Sequence, residues 1–350
     1  MRIGAKTIVD FIINNIENHP TDVVTLTAKH FEITPQAVLL HIRKMIADGI
    51  VSFTGNTRAR RYKLVDTRFL YTYQISDKLS EDRVWTSDIF KHFSSFADNV
   101  RHIWDYAFSE IFNNAIEHSR GTTINVVILQ NAASTTMMIL DDGIGIFKNI
   151  QTKFNLLNEH EAILELAKGK LTTNVKNHSG QGIFFTSRAV DKFIIESHGI
   201  FFVHDDTDGD KPDILLDSIK NAPNHEGTLV FMRFSNNSNR ILSKVFDDYS
   251  VCDYGFDKTV IPIELAQYGN EFLVSRSQAR RVLSRVQLFK QVIFNFSNVP
   301  SIGQSFADEI FRVFANAHPD IKIQYTNANK EVENMILRAK TLNIENTENS

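Results

Sequence analysis

A short run of the chain places an acid and an amide at the spacing of one helical turn. In Glu110-Ile-Phe-Asn-Asn-Ala-Ile-Glu-His118, Glu110 and Asn114 are four residues apart, and residues at that spacing share one face of a helix. An Asn carbonyl oxygen suits Mg²⁺, which takes few protein ligands beside phosphate oxygens and water. Glu110 is then placed to orient or deprotonate an attacking water. The spacing predicts metal-assisted chemistry on a phosphate.

A second motif, Asp141-Asp-Gly-Ile-Gly-Ile-Phe147, follows the strand-like apolar run 136–140. Gly143 and Gly145 permit unusual backbone dihedrals and close approach of the backbone to a ligand. Strand, carboxylate and glycine-rich turn together predict a ligand-binding loop.

A third motif, Ser179-Gly-Gln-Gly-Ile-Phe-Phe185, opens another helical pattern. Gly180 and Gly182 precede the periodic run 183–190. Free amides at a helix N-terminus suit a phosphate group. In this order and context, the three motifs predict a nucleotide site.

Together the motifs resemble the nucleotide-binding boxes of the GHKL ATPase superfamily, which includes gyrase, MutL, histidine kinases and anti-sigma kinases. The resemblance implies ATP and Mg²⁺ as ligands, with Glu110 catalytic and Asn114 on the metal. It also implies that Asp141 accepts a hydrogen bond from the exocyclic amine of adenine. Thr228 begins the strand-like run 228–234 and resembles a threonine that these proteins place near adenine.

The same resemblance makes residues 85–240 an α/β sandwich in which residues 146–179, termed the lid segment, close over ATP. Lys168, Lys170 and Lys176 are candidates there for holding phosphates, although lysines in such a polar run are usually just solvated. His118 and Ser119 are weaker candidates, since a local helix cap also explains them. The form Glu-x-x-x-Asn-Ala-x-x-His-Ser is most similar to anti-sigma-type serine kinases.

Residues 1–65 have the pattern of a small DNA-binding domain. Residues 1–64 carry nine Lys or Arg and five Asp or Glu, a net charge of +4 against −3 for the whole chain. Three amphipathic segments are followed by a basic hairpin with Gly55-Asn56 in its turn. Thr34-Pro35 suits the start of the third helix. This order resembles a winged helix-turn-helix.

In a winged helix the third helix enters the major groove and the wing follows the DNA backbone. The resemblance therefore puts Gln36, Ala37, Leu40 and His41 near base edges. It puts the wing arginines on phosphates; these are Arg58, Arg60 and Arg61. The alternative is a winged helix that serves only protein contacts or dimerisation.

Residues 255–341 have alternating strand and helix patterns that resemble a STAS-like domain, and residues 66–84 join the first two domains. In STAS antagonists a serine at the turn before a helix is phosphorylated by a GHKL kinase. The usual Asp-Ser-Ser-Gly is missing here, so Ser301 and Ser305 are candidates by proximity alone, against a docking or dimerisation role. Residues 342–350 are expected to form a disordered tail.

Composition limits the remaining classes. The 350 residues are 43% hydrophobic and 23% charged, as in ordinary globular proteins. Cys252 is the single cysteine, which excludes an internal disulfide and a cysteine-based zinc site. The sequence has neither an apolar run of membrane-spanning length nor a secretory signal, so we expect a cytoplasmic protein.

The sequence thus predicts a multidomain protein with a winged helix (α+β), a GHKL α/β sandwich and a STAS-like α/β domain. The favoured function is a DNA-binding regulator in which Mg-ATP controls DNA or partner binding; a homodimer and a protein partner for the STAS-like domain are compatible with it. One alternative is a serine protein kinase that acts on its own tail or on a partner. Another is an ATP-gated assembly protein that its winged helix tethers to DNA.

Overall fold

The structure is a computed structural model, and it describes residues 5–56, 59–171, 180–207, 213–217, 226–251, 255–267 and 272–348. Two compact units divide the chain. Unit 1 comprises Met1–Tyr71, Val126–Met137 and Arg233–Ser238. Unit 2 comprises Thr72–Asn125, Met138–Met232 and Asn239–Ser350.

Unit 1 contains three helices followed by an antiparallel hairpin. The elements are α1 (Ala5–Asn15), α2 (Val23–Phe31), α3 (Pro35–Ala47), β1 (Val51–Thr54) and β2 (Arg61–Leu64). Their apolar faces form one core, to which Ile12, Val38 and Leu64 contribute. The chain turn at Ala132 and Ala133, also in unit 1, packs against that core.

Helix α3 begins where the sequence predicts. The Thr34 side chain accepts a hydrogen bond from the amide of Ala37 at 3.3 Å, and Pro35 occupies the first turn, where no backbone donor is needed. Val38, Ile42 and Met45 then recur on the buried face. The opposite face of α3 is left to solvent.

A seven-stranded sheet has the strand order β3-β4-β5-β9-β6-β7-β8. The strands are β3 (Thr67–Gln74), β4 (Thr123–Gln130), β5 (Ser134–Asp141), β6 (Lys192–Ser197), β7 (Ile200–Asp205), β8 (Ile214–Asp217) and β9 (Leu229–Ser235). Buried residues alternate along β4, β5 and β9, which is the pattern of strands with one fully covered face. The segment 66–84, expected only to join two domains, contributes the edge strand β3.

The helices of this part of the chain follow in order. They are α4 (Glu81–Val84), which continues as a π-helical turn (Trp85–Ile89), α5 (Asp98–His118), α6 (Ile146–Phe154), α7 (Glu159–Lys168), α8 (Gly182–Ala189) and α9 (Leu242–Asp247). Trp104, Phe108 and Phe112 lie at helical spacing on the buried face of α5. The other face of this long helix is therefore free to line a site.

The C-terminal part of unit 2 is a second α/β layer. Strands β10 (Lys258–Pro262), β11 (Gln291–Asn295) and β12 (Lys322–Thr326) form a parallel sheet in that order. The helices are α10 (Arg276–Leu283), α11 (Gln304–Asp308), α12 (Ala315–Ala317) and α13 (Lys330–Glu348). Parallel strands need such crossover connections. The short strand that the pattern at 272–274 predicts is reduced to a single bridge, Leu273 to Ile302.

The end of the chain differs from the expectation. Residues 342–350 were predicted to be a disordered tail, but helix α13 continues through Glu348. Once a helix has begun, each further residue adds one hydrogen bond at little cost, which explains how a polar segment extends it.

Candidate functional site

Helix α5 carries the two residues of the first motif to one cavity of about 290 Å³ in unit 2. Glu110 and Asn114 both line it, as their four-residue spacing predicts. The opposite face of α5 is anchored by buried aromatic residues. The cavity thus receives an acid and an amide from a rigid element, the arrangement that holds functional groups most accurately.

Asp141 closes another side of the cavity, at the end of β5. Its side chain is 6% exposed, and its Oδ1 accepts hydrogen bonds from the amides of Gly143 at 2.9 Å and Thr228 at 3.3 Å. Burial raises the pKa of Asp141 above its ordinary value of 3.8, while those two amides act in the opposite direction. The result is a buried acceptor with a fixed orientation.

Thr228 connects this carboxylate to the helix that follows the glycine loop. Its carbonyl accepts from the amide of Asp141 at 3.1 Å, and its Oγ1 accepts from the amide of Ile146, at the start of α6, at 3.0 Å. Gly227 before it has a φ of +96°, and a Cβ there would overlap the carbonyl of Asp141. Glycine is therefore needed at 227 for both conformation and space.

The second acid of the Asp-Asp pair has a structural role. Asp142 is exposed and accepts from the amides of Thr122 at 2.6 Å and Thr123 at 2.9 Å, and also from both hydroxyls. Slight desolvation opposes ionisation, but these bonds hold the pKa of Asp142 well below its usual range. Asp142 thus ties the start of β4 to the end of β5.

The predicted glycines take different places. Gly145, Gly180 and Gly182 line the cavity, whereas Gly143 contributes its amide to Asp141. A Cβ at position 182 would overlap Oε2 of Glu110. The third motif therefore brings the N-terminus of α8 directly against the acid of the first. Ser179 lies outside the described residues.

Sequence reasoning missed the contribution of helix α6. Asn149, Ile150, Lys153 and Phe154 line the cavity, and Nδ2 of Asn149 donates to the carbonyl of His118 at 3.0 Å. Their spacing of one, three and one residues after the glycine loop was the available signal. The weaker candidates His118 and Ser119 also line the cavity, although Oγ of Ser119 accepts locally from Gly121.

Lys153 brings positive charge to the cavity. Its side chain is exposed, and burial of part of it lowers its pKa, with the neighbouring Arg120 adding repulsion. Two cations close to one another favour an anion beside them. Lys153 lines the cavity and is a better candidate for contact with an anionic ligand than Lys168 or Lys170.

Two of the three lysines selected from the sequence, Lys168 and Lys170, bond to the C-terminal layer. Lys168 is 1% exposed and donates to Glu165 and to backbone carbonyls of the C-terminal layer. Nζ of Lys170 donates to the carbonyl of Leu288 at 2.7 Å. Lys176 lies outside the described residues. The expectation that Lys168 and Lys170 contact a ligand in the cavity is wrong, because both side chains have acceptors elsewhere.

The described residues among those selected for DNA contact lie at the surface of unit 1 and are exposed or half-buried. Gln36 and Leu40 are exposed on α3, and His41 is half-buried. On β2 Arg61 points outward, whereas Arg60, just before the strand, lies over the Phe53 ring at 4.3 Å. Arg58 lies outside the described residues.

Of the two candidate serines, Ser301 lies in the turn between β11 and α11, and Ser305 lies in the first turn of α11. Ser305 is exposed and Ser301 half-buried. Helix α11 begins at Gln304 with Gly303 before it, so Ser305 is the second helical residue and not the cap. The amide of Gly303 donates to the carbonyl of Leu273 at 2.7 Å. Ser305 is thus the more accessible hydroxyl of the two.

Comparison with known proteins identifies one part of the chain. The family model of the STAS-like domain of unknown function DUF4325 matches residues 278–333, which confirms the STAS-like prediction for the C-terminal layer. No curated protein matches the chain. Within the described ranges, we find no helix both long and apolar enough to cross a membrane. The same ranges contain no group of three or more His, Cys, Asp or Glu side chains that could hold a metal ion.

Proposed function

We propose that this protein binds and hydrolyses ATP on a GHKL-type domain, and that this controls the binding of a winged helix to DNA. One observation carries the proposal: Glu110, Asn114, Asp141 and Gly182, from three separate motifs, line a single cavity. Each motif alone is common. Their convergence is what a nucleotide site requires, because base, phosphates and metal need different groups at one place.

The lining fits an adenine nucleotide. A buried acceptor, Asp141, lies beside Ile139 and Val230, so a flat apolar base with an amino group suits this part of the cavity. Gly180 and Gly182 bring the N-terminus of α8 to another part, where its amides favour phosphate. A cavity of about 290 Å³ is near the lower limit for small-molecule sites.

Magnesium fits as part of a nucleotide complex. Asn114 supplies a carbonyl oxygen to the cavity, and Mg²⁺ is usually held by one or two protein groups together with phosphates and water. When bound, it neutralises charge on the phosphate oxygens. The side chain of Asn114 is then a metal ligand, and that of Glu110 orients or deprotonates the attacking water.

The experiment follows γ-labelled ATP mixed with the full chain and Mg²⁺, beside an Asn114→Ala control. Label released as free phosphate by the wild type alone supports an ATPase. Label retained on the chain favours the serine kinase alternative and directs attention to Ser305. If neither occurs and equilibrium dialysis also detects no nucleotide on the wild type, the proposal fails.

Replacing Lys153 with methionine should weaken nucleotide binding about fivefold, because a partly exposed cation contributes modestly to an anionic ligand. Titration with a fluorescent ADP analogue measures this change. Lys148→Met is the matched control, since Lys148 is exposed on the same helix and bonds Gln151 at 3.0 Å without lining the cavity. Equal affinities in both variants would remove Lys153 from the site.

The DNA-binding part of the proposal rests on the surface of unit 1. Three helices and a basic hairpin lie in this unit, with Gln36 and Leu40 exposed on the third helix. The outward side chains of β2 are Arg61 and Lys63, while Tyr62 and Leu64 are buried. Such an alternation leaves the cations free to follow a phosphate backbone.

Replacing both Arg61 and Lys63 with alanine should reduce affinity for duplex DNA roughly tenfold and flatten its dependence on log salt by about two. Fluorescence anisotropy with a labelled duplex at several salt concentrations measures both. Lys29→Ala, at an exposed position of α2, should leave both unchanged. A double variant with the wild-type salt dependence would favour a winged helix that contacts only proteins.

Control of DNA binding by ATP is inferred from the order of the domains. It is tested by repeating the anisotropy measurement with Mg-ADP and with a non-hydrolysable ATP analogue. A difference in DNA affinity between the two supports the regulator. Identical affinities would favour the assembly alternative, in which the winged helix only tethers the protein to DNA.

A further inference from the structure

Lys168, the last residue of α7, is buried deep inside the protein. Its side chain is 1% exposed, and Nζ donates to Oε1 of Glu165 at 2.7 Å. It also donates to the carbonyls of Arg281 and Ser284, both at 3.0 Å. These three acceptors use all three hydrogens of the ammonium group. A lysine from the lid segment is thus fully bonded, with one acceptor on its own helix and two in the STAS-like layer.

The two carbonyls belong to the end of helix α10. Arg281 lies in its last turn and Ser284 directly follows it. The final carbonyls of a helix lack the amide donor four residues on, and the helix dipole makes this end negative. The carbonyl of Arg281 has one further donor, the amide of Ser284 at 3.3 Å. Burial lowers the pKa of Lys168, and Glu165 opposes that change. The lysine therefore acts as a cap that α10 receives from the lid segment.

Further contacts join the same two segments. Glu165 lies 3.6 Å from Arg285, and Glu161 lies 3.6 Å from Arg281. Oγ1 of Thr259 donates to the carbonyl of Lys168 at 2.8 Å. Acids of α7 thus face arginines of α10 and of the turn that follows it. This pairing of opposite charges specifies one register between the two segments.

The connection continues past the end of α7. Gly169 has a φ of +81°, and a Cβ there would overlap the ring of Phe256. Nζ of Lys170 lies 4.6 Å from the centre of the Phe289 ring, and the Arg285 guanidinium donates to the carbonyl of Lys170. Three consecutive residues of the lid segment are therefore fixed to the C-terminal layer.

The other side of this segment faces the cavity. Leu166 and Leu171 line it, and the amide of Leu171 donates to the carbonyl of Gly180 at 2.9 Å. Gly180 lines the cavity as well. Residues 166–171 therefore lie between the cavity and the STAS-like layer. A shift of this segment would change both the lining of the cavity and the contacts with that layer.

We propose that Lys168 is a positioning residue through which the STAS-like domain sets the position of residues 159–171, a described part of the lid segment that borders the nucleotide site. This inference rests on the proposed function. Because coupling between two sites acts equally in both directions, nucleotide binding should change the packing of α10, and a change in the packing of α10 should change nucleotide affinity. A partner that binds the STAS-like domain then changes nucleotide affinity without touching the cavity.

The test compares hydrogen exchange and nucleotide affinity in the full chain and three variants. Lys168→Met removes the cation. Lys168→Met combined with Glu165→Gln removes the cation without leaving a buried carboxylate alone, which protects against simple unfolding. Lys148→Met, an exposed lysine on α6, is the control. The probe is a fluorescent ADP analogue with Mg²⁺.

We expect the wild type and the control to show a change of amide exchange in residues 276–288 when the analogue binds, although none of those residues lines the cavity. In the double variant that change should disappear, and affinity should fall about tenfold. Melting temperature should fall, because the carbonyls of Arg281 and Ser284 lose this donor. A merely structural lysine would also alter melting temperature but leave the nucleotide response of 276–288 intact.

Two results overturn the inference while leaving the proposed function in place: the wild type binds the analogue with no change in 276–288, or the double variant retains the full change. Failure of the wild type to bind any nucleotide overturns the proposed function, and the proposed linkage with it. The nucleotide-free samples then still test whether Lys168 anchors α7 to the STAS-like domain. Exchange in residues 159–168 of the double variant should be faster than in the wild type, and equal rates would show that Lys168 does not hold the lid segment.

Discussion

Replacing Asp141 with asparagine is expected to lower adenine-nucleotide affinity by about 100-fold, equal to about 2.7 kcal/mol. Oδ1 of the asparagine can still accept from the amides of Gly143 and Thr228, which the carboxylate does at 2.9 and 3.3 Å. Nδ2 of the asparagine, an NH₂ group, then replaces the second carboxylate oxygen. It opposes the exocyclic amine of adenine donor to donor, and a buried unmatched donor is costly. Isothermal titration with ADP and Mg²⁺ measures the loss.

The thermal stability of Asp141→Asn distinguishes a loss of binding from a loss of folding. Burial raises the pKa of Asp141 in the folded protein, so its stabilising contribution is complete below the pKa of the unfolded chain. That contribution is lost as the pH rises through the folded pKa. At neutral pH the wild type therefore carries a destabilising buried charge. Asp141→Asn should melt at the same temperature as the wild type or higher, although it binds nucleotide about 100-fold more weakly.

The adjacent Asp142 is the matched control. It carries the same chemical group, but its bonds go to Thr122 and Thr123. Its pKa is held low in the folded protein, so its contribution to stability is present above the unfolded pKa and is lost as the pH falls. Asp142→Asn should lose a little thermal stability and keep nucleotide affinity. The opposite pattern in the two variants would place the adenine reader at 142.

The same pKa change predicts a pH profile. Nucleotide affinity depends on the ionised carboxylate of Asp141 and should fall on acidification. The fall should begin at a higher pH than an ordinary carboxyl with a pKa of 3.8 would give. Asp142→Asn should retain that profile. Affinity that stays constant until the protein unfolds would separate Asp141 from binding.

Local chemistry explains which parts of the site the sequence predicted. Glu110 and Asn114 follow from helical spacing, and Gly182 follows from the needs of a helix start against a neighbouring group. These signals lie within a few residues of one another. The convergence of α5, β5 and α8 on one cavity followed from resemblance to a family and not from any of these signals alone.

Long-range contacts explain the errors. Lys168 looked like a solvated residue of a polar run, but its carbonyl partners are more than 100 positions away, at Arg281 and Ser284. No periodicity within the lid segment predicts a hydrogen-bond partner so distant in the sequence. Strand β3 was missed for a related reason, since its burial pattern alternates between exposed and half-buried and gives an edge strand little apolar signal.

Replacing Glu110 with glutamine should lower the rate of ATP hydrolysis by about 100- to 10,000-fold, the usual range for a lost general base. Glutamine keeps the shape of the side chain that contacts the start of α8. Nucleotide affinity should therefore remain within about threefold of the wild type, because only the developing transition state needs the base. Single-turnover hydrolysis and equilibrium binding, measured on the same samples, separate the two quantities.

Asp98→Asn supplies the control, because Asp98 is exposed at the start of the same helix, accepts from Arg101 and does not line the cavity. It should leave both quantities unchanged. An unaltered hydrolysis rate in Glu110→Gln would assign the base to another group. A loss of affinity as large as the loss of rate would show that Glu110 acts on the bound ground state. Only a loss of rate at retained affinity supports the activation of water by Glu110. This is the role that its place in the cavity, against the start of α8, indicates.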